Sequence, residues 1–127
     1  MIRDALLSVS GKIDLAMGGS LLQTENRKHV FHHSQPDNTR YDFSRRSVYL
    51  PVVRNNLYDV FSLFDYADAS MINGDRPTTT IAPQALFLMN SGLVLEATEQ
   101  LAENVLAERA SELEDRIQQL YLRVYYR

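Results

Sequence analysis

The sequence predicts a mainly α protein with about five helices and one or two short strands. Apolar residues recur at intervals of three and four in several separate stretches, and only one stretch is rich in β-branched and aromatic residues. The chain has 127 residues, 45% of them hydrophobic, and no cysteine. This length suffices for a core without a metal or a disulfide. No apolar run approaches the roughly 18 residues that cross a bilayer, so we expect no membrane span.

The first helix is predicted over residues 2–10. Ile2, Ala5, Leu6 and Val9 fall on one helical stripe, and Gly11 follows as a stop signal. No residue before Ile2 caps this helix, and the last helix of the chain has no stop signal. We therefore expect one partial domain, truncated at both ends, whose unpartnered apolar stripes make the isolated chain self-associate.

Three zones divide the chain in this prediction. Residues 1–19 form the first helix and a Gly-Gly loop, residues 20–44 form an irregular variable segment, and residues 45–127 form a strand plus a helical core. Residues 47–53 are apolar on both alternating faces, which is typical of a strand covered on two sides. A second short strand is predicted over residues 29–33.

Four more helices are predicted in the acidic part of the chain. Leu57, Val60, Phe61 and Phe64 form a buried stripe. Residues 84–90 are apolar on nearly all sides, which indicates a helix buried on most sides. A break at Asn90 to Gly92 separates it from a helix with a glutamate-rich face. Ser111 and Glu114 form a capping box for the last helix, whose apolar face contains Leu113, Ile117, Leu120, Tyr121 and Val124.

Charge is distributed unevenly along the chain. Residues 1–54 have eight Lys or Arg against five Asp or Glu, whereas residues 55–127 have five against eleven. This asymmetry indicates that the two halves pack on each other. The net charge of -3 argues against a nucleic-acid partner, because such modules are usually basic.

Several motifs, in their order along the chain, resemble planctomycete-specific domain one, an uncharacterised domain found near the C-terminal end of large planctomycete proteins. The matching pieces cover almost the whole chain. They include Ile2-Arg3-Asp4-Ala5-Leu6-Leu7, Met17-Gly18-Gly19, Arg45-Arg46-Ser47-Val48-Tyr49-Leu50-Pro51-Val52-Val53-Arg54-Asn55, Phe64-Asp65 and Pro83-Gln84-Ala85-Leu86-Phe87-Leu88-Met89-Asn90.

The resemblance implies a non-catalytic packing or interaction portion of a large multidomain protein. Such parents are exported to the periplasm or cell surface and often carry a cytochrome c domain, so haem would lie elsewhere in the parent and no cofactor in this chain. The partner would then be the remainder of the parent chain. Two alternatives remain: part of an enzyme acting on polysaccharide or in cytochrome-linked redox metabolism, or a carbohydrate-binding module.

No motif in the chain dictates a reaction, so catalytic residues stay unassigned. A nucleophilic serine, for example, lacks a Gly-x-Ser-x-Gly elbow. The residues singled out for a structural or binding role are Arg45, Arg46, Tyr49, Arg54, Asp65, Asp68, Arg76, Gln84 and Asn90.

Each interpretation predicts a different arrangement of these residues. The structural interpretation pairs Arg45 or Arg46 with the acidic half, with one arginine more buried because neighbouring strand residues point to opposite faces. The enzyme alternative requires these arginines, Asp65, Asp68 and Arg76 to share an open cleft. The carbohydrate alternative requires Tyr41, Phe43 and Tyr49 on an exposed platform.

The three histidines, His29, His32 and His33, are the residues with the best spacing for a metal site. No cysteine and no metalloprotease glutamate accompany them. On a strand, moreover, His29 and His33 would lie far apart. We therefore predict that the chain binds no metal.

Overall fold

The computed structural model describes residues 2–22, 39–53, 56–67, 71–72, 74–75, 78–108 and 112–126. These ranges confirm a mainly helical fold with five α-helices. They are α1 (Ile2–Val9), α2 (Asp59–Leu63), α3 (Ala82–Asn90), α4 (Gly92–Ala107) and α5 (Leu113–Tyr125). Helix α4 is central, because α1, α3 and α5 all pack against it. None of the helices in the described ranges is long and apolar enough to cross a membrane.

The prediction of a strand over residues 47–53 is wrong. Ser47–Tyr49 forms one turn of 3₁₀ helix, and an extended segment follows in which Leu50 and Val53 are buried. The one bridge between the described extended segments is the parallel pair Asp14 and Arg45. Val53 is the one β-branched residue of this stretch that is buried, whereas Val48 is 72% and Val52 is 39% exposed. Residues 29–33, the other predicted strand, lie outside the described ranges.

Helix α1 turns a different face to the core than its apolar stripe predicts. Arg3, Leu7 and Ser10 are buried, whereas Ile2 is 40% exposed. The buried residues are spaced by four and three, so they also share one helix face. The predicted stripe of α1 is therefore wrong, because the buried face is rotated from it by a fraction of a turn. The prediction counted only apolar residues as buried and so left out Arg3 and Ser10.

The Arg3 guanidinium is the most buried charged group described, with a relative exposure of 1%. Its Nη1 donates to the carbonyl oxygen of Arg45 at 2.6 Å, and its Nη2 donates to the carbonyl oxygen of Phe43. Asp4 lies beside it, with Oδ1 3.6 Å from Nη1. That same carboxylate oxygen accepts from Ser47 N at 2.8 Å and from Ser47 Oγ at 2.6 Å.

Two further contacts join α1 to α4 and to the aromatic residues around α2. The Arg3 guanidinium carbon lies 6.0 Å from the centre of the Tyr58 ring, which stacks on Tyr41 and meets Phe61 edge-on. At the C-terminal end of α1, Asn104 Nδ2 of α4 donates to the Ser10 carbonyl oxygen at 3.0 Å. The first helix therefore contacts both the aromatic cluster at α2 and the central helix.

The break between α3 and α4 is confirmed at Ser91. Its side chain accepts from Val94 N at 3.3 Å and caps the new helix. In α4, Ala97 and Val105 are buried. The predicted capping residue of α5, Ser111, lies outside the described ranges.

The outer helices are much less buried than their sequences predict. In α3 the only buried residue is Gln84, although residues 84–90 were expected to be covered on most sides. In α5 no residue is buried. Both helices thus expose apolar side chains that a water-facing helix normally lacks.

We predict that Arg3→Met lowers the free energy of unfolding by about 3–5 kcal/mol, because the part-buried carbonyl oxygens of Phe43 and Arg45 each lose a charged donor. Arg3→Lys should lose nearly as much, since an ammonium does not reproduce the forked geometry. Urea denaturation measures both. The matched control is Arg40→Met, at an exposed arginine, with an expected change within about 0.5 kcal/mol. Equal losses at the two positions would contradict the role of Arg3.

Candidate functional site

A groove of about 590 Å³ lies where the N-terminus of α1 meets α2 and α3. Its apolar walls include Ile2, Val60, Phe64 and Leu88. The Phe64 ring meets Phe87 edge-on, with 5.7 Å between ring centres, and this contact fixes α2 against α3. The polar side of the groove is formed by Asp65, Gln84 and residues 78–80. Two residues singled out by sequence therefore come together here.

Gln84 connects three backbone segments around the groove. It is 8% exposed, and its Nε2 donates to the carbonyl oxygens of Leu63 at 2.8 Å and Thr79 at 3.2 Å. Its Oε1 accepts from Ile81 N at 3.2 Å. The amide thus joins the end of α2, the preceding loop and the first turn of α3. All these partners are backbone groups, so Gln84 holds together the three segments that border the groove.

Asp65 holds the other end of the same loop. Its φ of 54° lies in the left-handed region, where Asp and Asn are tolerated better than most side chains. The carboxylate accepts from Thr79 N and from Thr79 Oγ1, each at 2.7 Å. Asp65 therefore follows the end of α2 and fixes the loop before α3.

The chemistry available in this groove is that of an apolar surface with a fixed polar edge. Among the described lining residues, Asp65 is the only carboxylate, whereas paired acid and base groups require two. The side chains of Asp65 and Gln84 both form hydrogen bonds with backbone groups. The groove is suited to receive an apolar side chain.

Arg45 and Arg46 lie elsewhere, outside the residues that line the groove. Arg45 donates to the Ala16 carbonyl oxygen and lies 3.9 Å from an Asp14 carboxylate oxygen. Its guanidinium carbon is 4.9 Å from the centre of the Tyr49 ring. The expected contact of Arg45 with the acidic half is wrong, because its carboxylate partner, Asp14, belongs to the basic half.

The two arginines do differ in burial as predicted. The side chain of Arg45 is 12% exposed, whereas Arg46 is exposed. The physical reason is different from the one expected, since these residues precede a 3₁₀ turn and not a strand. Arg45 joins this turn to the loop after α1.

The remaining residues singled out by sequence fall into two groups. Asn90, exposed, donates from Nδ2 to the Leu86 carbonyl oxygen at 2.9 Å within α3. The other three, Arg54, Asp68 and Arg76, lie outside the described ranges, so the shared cleft that includes them stays untested. Arg45 and Asp65 do not meet in the one groove described above.

The aromatic residues of the carbohydrate alternative are half-buried and not on an exposed platform. The Tyr41 ring stacks on Tyr58 with 4.9 Å between ring centres, and its hydroxyl donates to the Asn56 carbonyl oxygen at 2.6 Å. Tyr49 lies against Arg45, and Phe43 supplies a carbonyl oxygen to Arg3. Each of the three residues contributes a contact within the fold.

The predicted absence of a metal site concerns three histidines that lie outside the described ranges. His29, His32 and His33 are not among the described residues, so the expected absence of metal stays a prediction. Within the ranges that are described, no group of three or more His, Cys, Asp or Glu residues is placed to hold an ion.

The sequence patterns did not single out Arg3, Asp4 and Ser47, whose contacts join α1 to the 3₁₀ turn. One signal was present: Arg3 is spaced by four from Leu7 and by seven from Ser10, which makes a continuous helix face. The carbonyl partners of Arg3, on Phe43 and Arg45, lie 40 and 42 residues away along the chain. No local pattern encodes that contact.

Comparison with known families assigns the chain. The model of the PSD1 family, described as a protein of unknown function (DUF1553), matches residues 1–127. The chain belongs to the PSD1 family. The match confirms the resemblance at the family level and attaches no reaction to PSD1. No curated protein and no solved structure matched the chain, so the groove geometry is the basis for any functional argument about this PSD1 chain.

We predict that Gln84→Ala destabilises the PSD1 fold by about 1–3 kcal/mol, because the part-buried carbonyl groups of Leu63 and Thr79 lose their donor. Asn90→Ala on the same helix is the control, with an expected loss below about 1 kcal/mol since its one bond is exposed. Thermal and urea unfolding measure both variants. Equal effects would show that Gln84 does not join the groove segments.

We also predict unequal effects of Arg45→Ala and Arg46→Ala. The first should lower the free energy of unfolding by about 1–2 kcal/mol, because a largely buried guanidinium loses a charged hydrogen bond and its ring contact. The second should change it by less than about 0.5 kcal/mol. Unchanged stability for both variants, together with loss of a binding activity of the parent protein, would place these arginines in a functional site.

Proposed function

We propose that this PSD1 chain is a non-catalytic packing portion of a larger exported multidomain protein of the planctomycete type. The observation that carries the proposal is α3, a helix that is apolar on nearly all sides and yet exposed. Leu86 is 60% exposed and Met89 is 72% exposed. Helices with this composition belong to the interior of a larger protein, so α3 needs further polypeptide to cover it.

The groove beside α3 supports the same function. Leu88 of α3 and Ile2 of α1 line it together with Phe64. On its polar side, Asp65 and Gln84 bond to the backbone of Thr79. An apolar segment of the parent chain that covers α3 would also place a side chain in this groove. The partner is therefore the remainder of the parent chain, which would also carry haem where a cytochrome domain is present.

The proposal is tested by methionine oxidation in the full-length parent and in the isolated chain. Met89 lies on α3, whereas Met17, 83% exposed, lies in the loop after α1. If the parent covers α3, oxidation of Met89 by dilute peroxide should slow at least about tenfold in the parent, because burial limits access of the oxidant. Met17 serves as the internal reference in both samples.

The result that contradicts the proposal is equally clear. Met89 oxidised at the same rate in both proteins would mean that the parent leaves α3 exposed. A complementary variant, Leu86→Glu, should leave the isolated chain folded but lower the thermal stability of the parent, because a charge would then lie in the covered surface. Leu95→Glu, at an exposed residue on α4, is the matched control.

A further inference from the structure

Helix α5 rests on the other helices along a polar edge. Arg116, Gln119 and Arg123 are its three partly buried residues, and every other residue of the helix is exposed. These three are spaced by three and four, so they share one edge of the helix. A helix that packs on a core normally turns its apolar side inward. In α5 the inward edge is the polar one.

The apolar side of α5 lies roughly a quarter of a turn from this edge, at 100° per residue. Its residues are separated by four, three and four, and they are Leu113, Ile117, Leu120 and Val124. Ile117 is 47% exposed and Leu120 is 38% exposed. Leu120 and Val124 border α4 without being covered by it.

Open space flanks α5 on two sides. A groove of about 470 Å³ has Leu120 and Val124 on one wall and Leu101 and Ala102 of α4 on the other. A second groove, of about 490 Å³, lies between the C-terminal part of α5 and α1, where its lining includes Val9 and Val124. The neighbouring helices therefore leave room for α5 to turn about its own axis.

The polar edge is incompletely satisfied in its inward position. Arg116 Nε and Gln119 Oε1 are buried and have no hydrogen-bond partner among the described residues, although such buried atoms normally have one. Leaving them unpaired costs free energy. Burial of apolar groups offsets this cost only weakly, because no residue of α5 is buried.

An ion pair holds the polar edge in this position. Arg123 Nη2 donates to Oε1 of Glu108, the residue that follows the last turn of α4. The two side chains are 33% and 38% exposed, and ion pairs this accessible to water shift an equilibrium constant by about fivefold or less. The contact therefore favours the observed position without making it the only stable one.

We infer that α5 is a rotary switch with two docked positions on α4. The structure shows the first position, in which the apolar side is displayed. In the second, α5 has turned by about a quarter of a turn about its axis, Leu120 and Val124 pack against Leu101 and Ala102, and the groove between the helices closes. The polar edge then regains water.

Opposing contributions keep the two positions close in free energy. The second position buries apolar side chains and hydrates the unpaired atoms of the polar edge, whereas the first retains the pair between Arg123 and Glu108. A partner that binds the apolar side would select the first position. The switch thus lets the chain change how much apolar surface it presents. It concerns α5, whereas the proposed function concerns α3, so the two can succeed or fail separately.

Thiol labelling of single cysteines measures which side of α5 is accessible. The chain has no cysteine, so Ile117→Cys reports on the apolar side and Gln119→Cys on the polar edge. Glu108→Gln weakens the hold on Arg123. It should speed labelling at position 119 by about threefold and slow labelling at position 117, because the second position gains population. Glu103→Gln, at an exposed glutamate of α4, is the matched control and should change neither rate.

A charge on the apolar side tests the rotation itself. In the Glu108→Gln chain, Ile117→Glu should return the labelling rate at position 119 to its original value, because the second position would bury the new carboxylate. Leu122→Glu is the control. Leu122 is 49% exposed and lies on neither the polar edge nor the apolar side, so the rate at position 119 should stay raised.

Three results would overturn the switch. One is labelling rates that Glu108→Gln leaves unchanged. Another is faster labelling at position 119 without slower labelling at position 117, which would mean that α5 detaches from α4 and does not turn. The third is a rate at position 119 that stays raised after Ile117→Glu. Far-UV circular dichroism of each variant confirms that the helical content is retained.

Discussion

The fold depends on one buried cation. The Arg3 guanidinium is almost inaccessible to water, and removing it from water is costly unless its donors are satisfied. The carbonyl oxygens of residues 43 and 45, together with Asp4, meet that demand at the two terminal nitrogens, whereas the buried Nε has no hydrogen-bond partner among the described residues. Since these carbonyls lie on a segment far along the chain, the requirement to satisfy Arg3 fixes that segment against α1. Helix α4 and the aromatic cluster at Tyr58 then attach to the same helix.

The groove repeats this principle with neutral and acidic side chains. Gln84 and Asp65 both bond to the backbone of Thr79 in the loop that joins α2 to α3, so these two polar side chains organise the chain around the groove. Val60, Phe61 and Ala97 are among the buried apolar residues, while α3 and α5 also have exposed apolar side chains. These exposed apolar side chains are the feature on which the proposed packing function rests.

Sequence patterns predicted the helices well because periodicity depends on local spacing. The break at Ser91 and the buried pair in α2, Val60 and Phe61, followed from such spacing. The failures share one cause, because burial is decided by partners that no local pattern contains. Residues 47–53 had the composition of a strand but found no described neighbour to pair with. Of the candidate site, Asp65 and Gln84 could be named in advance, whereas their common partner Thr79 became evident only from the geometry.

The backbone bond from Asp14 N to the Ser44 carbonyl oxygen, at 2.9 Å, closes the stretch of chain between these residues into a loop with fixed ends. The free energy of closing a flexible loop rises only with the logarithm of its length. Because the two ends are also held by Arg3 and Arg45, a change in the length of this stretch should cost the helices little stability.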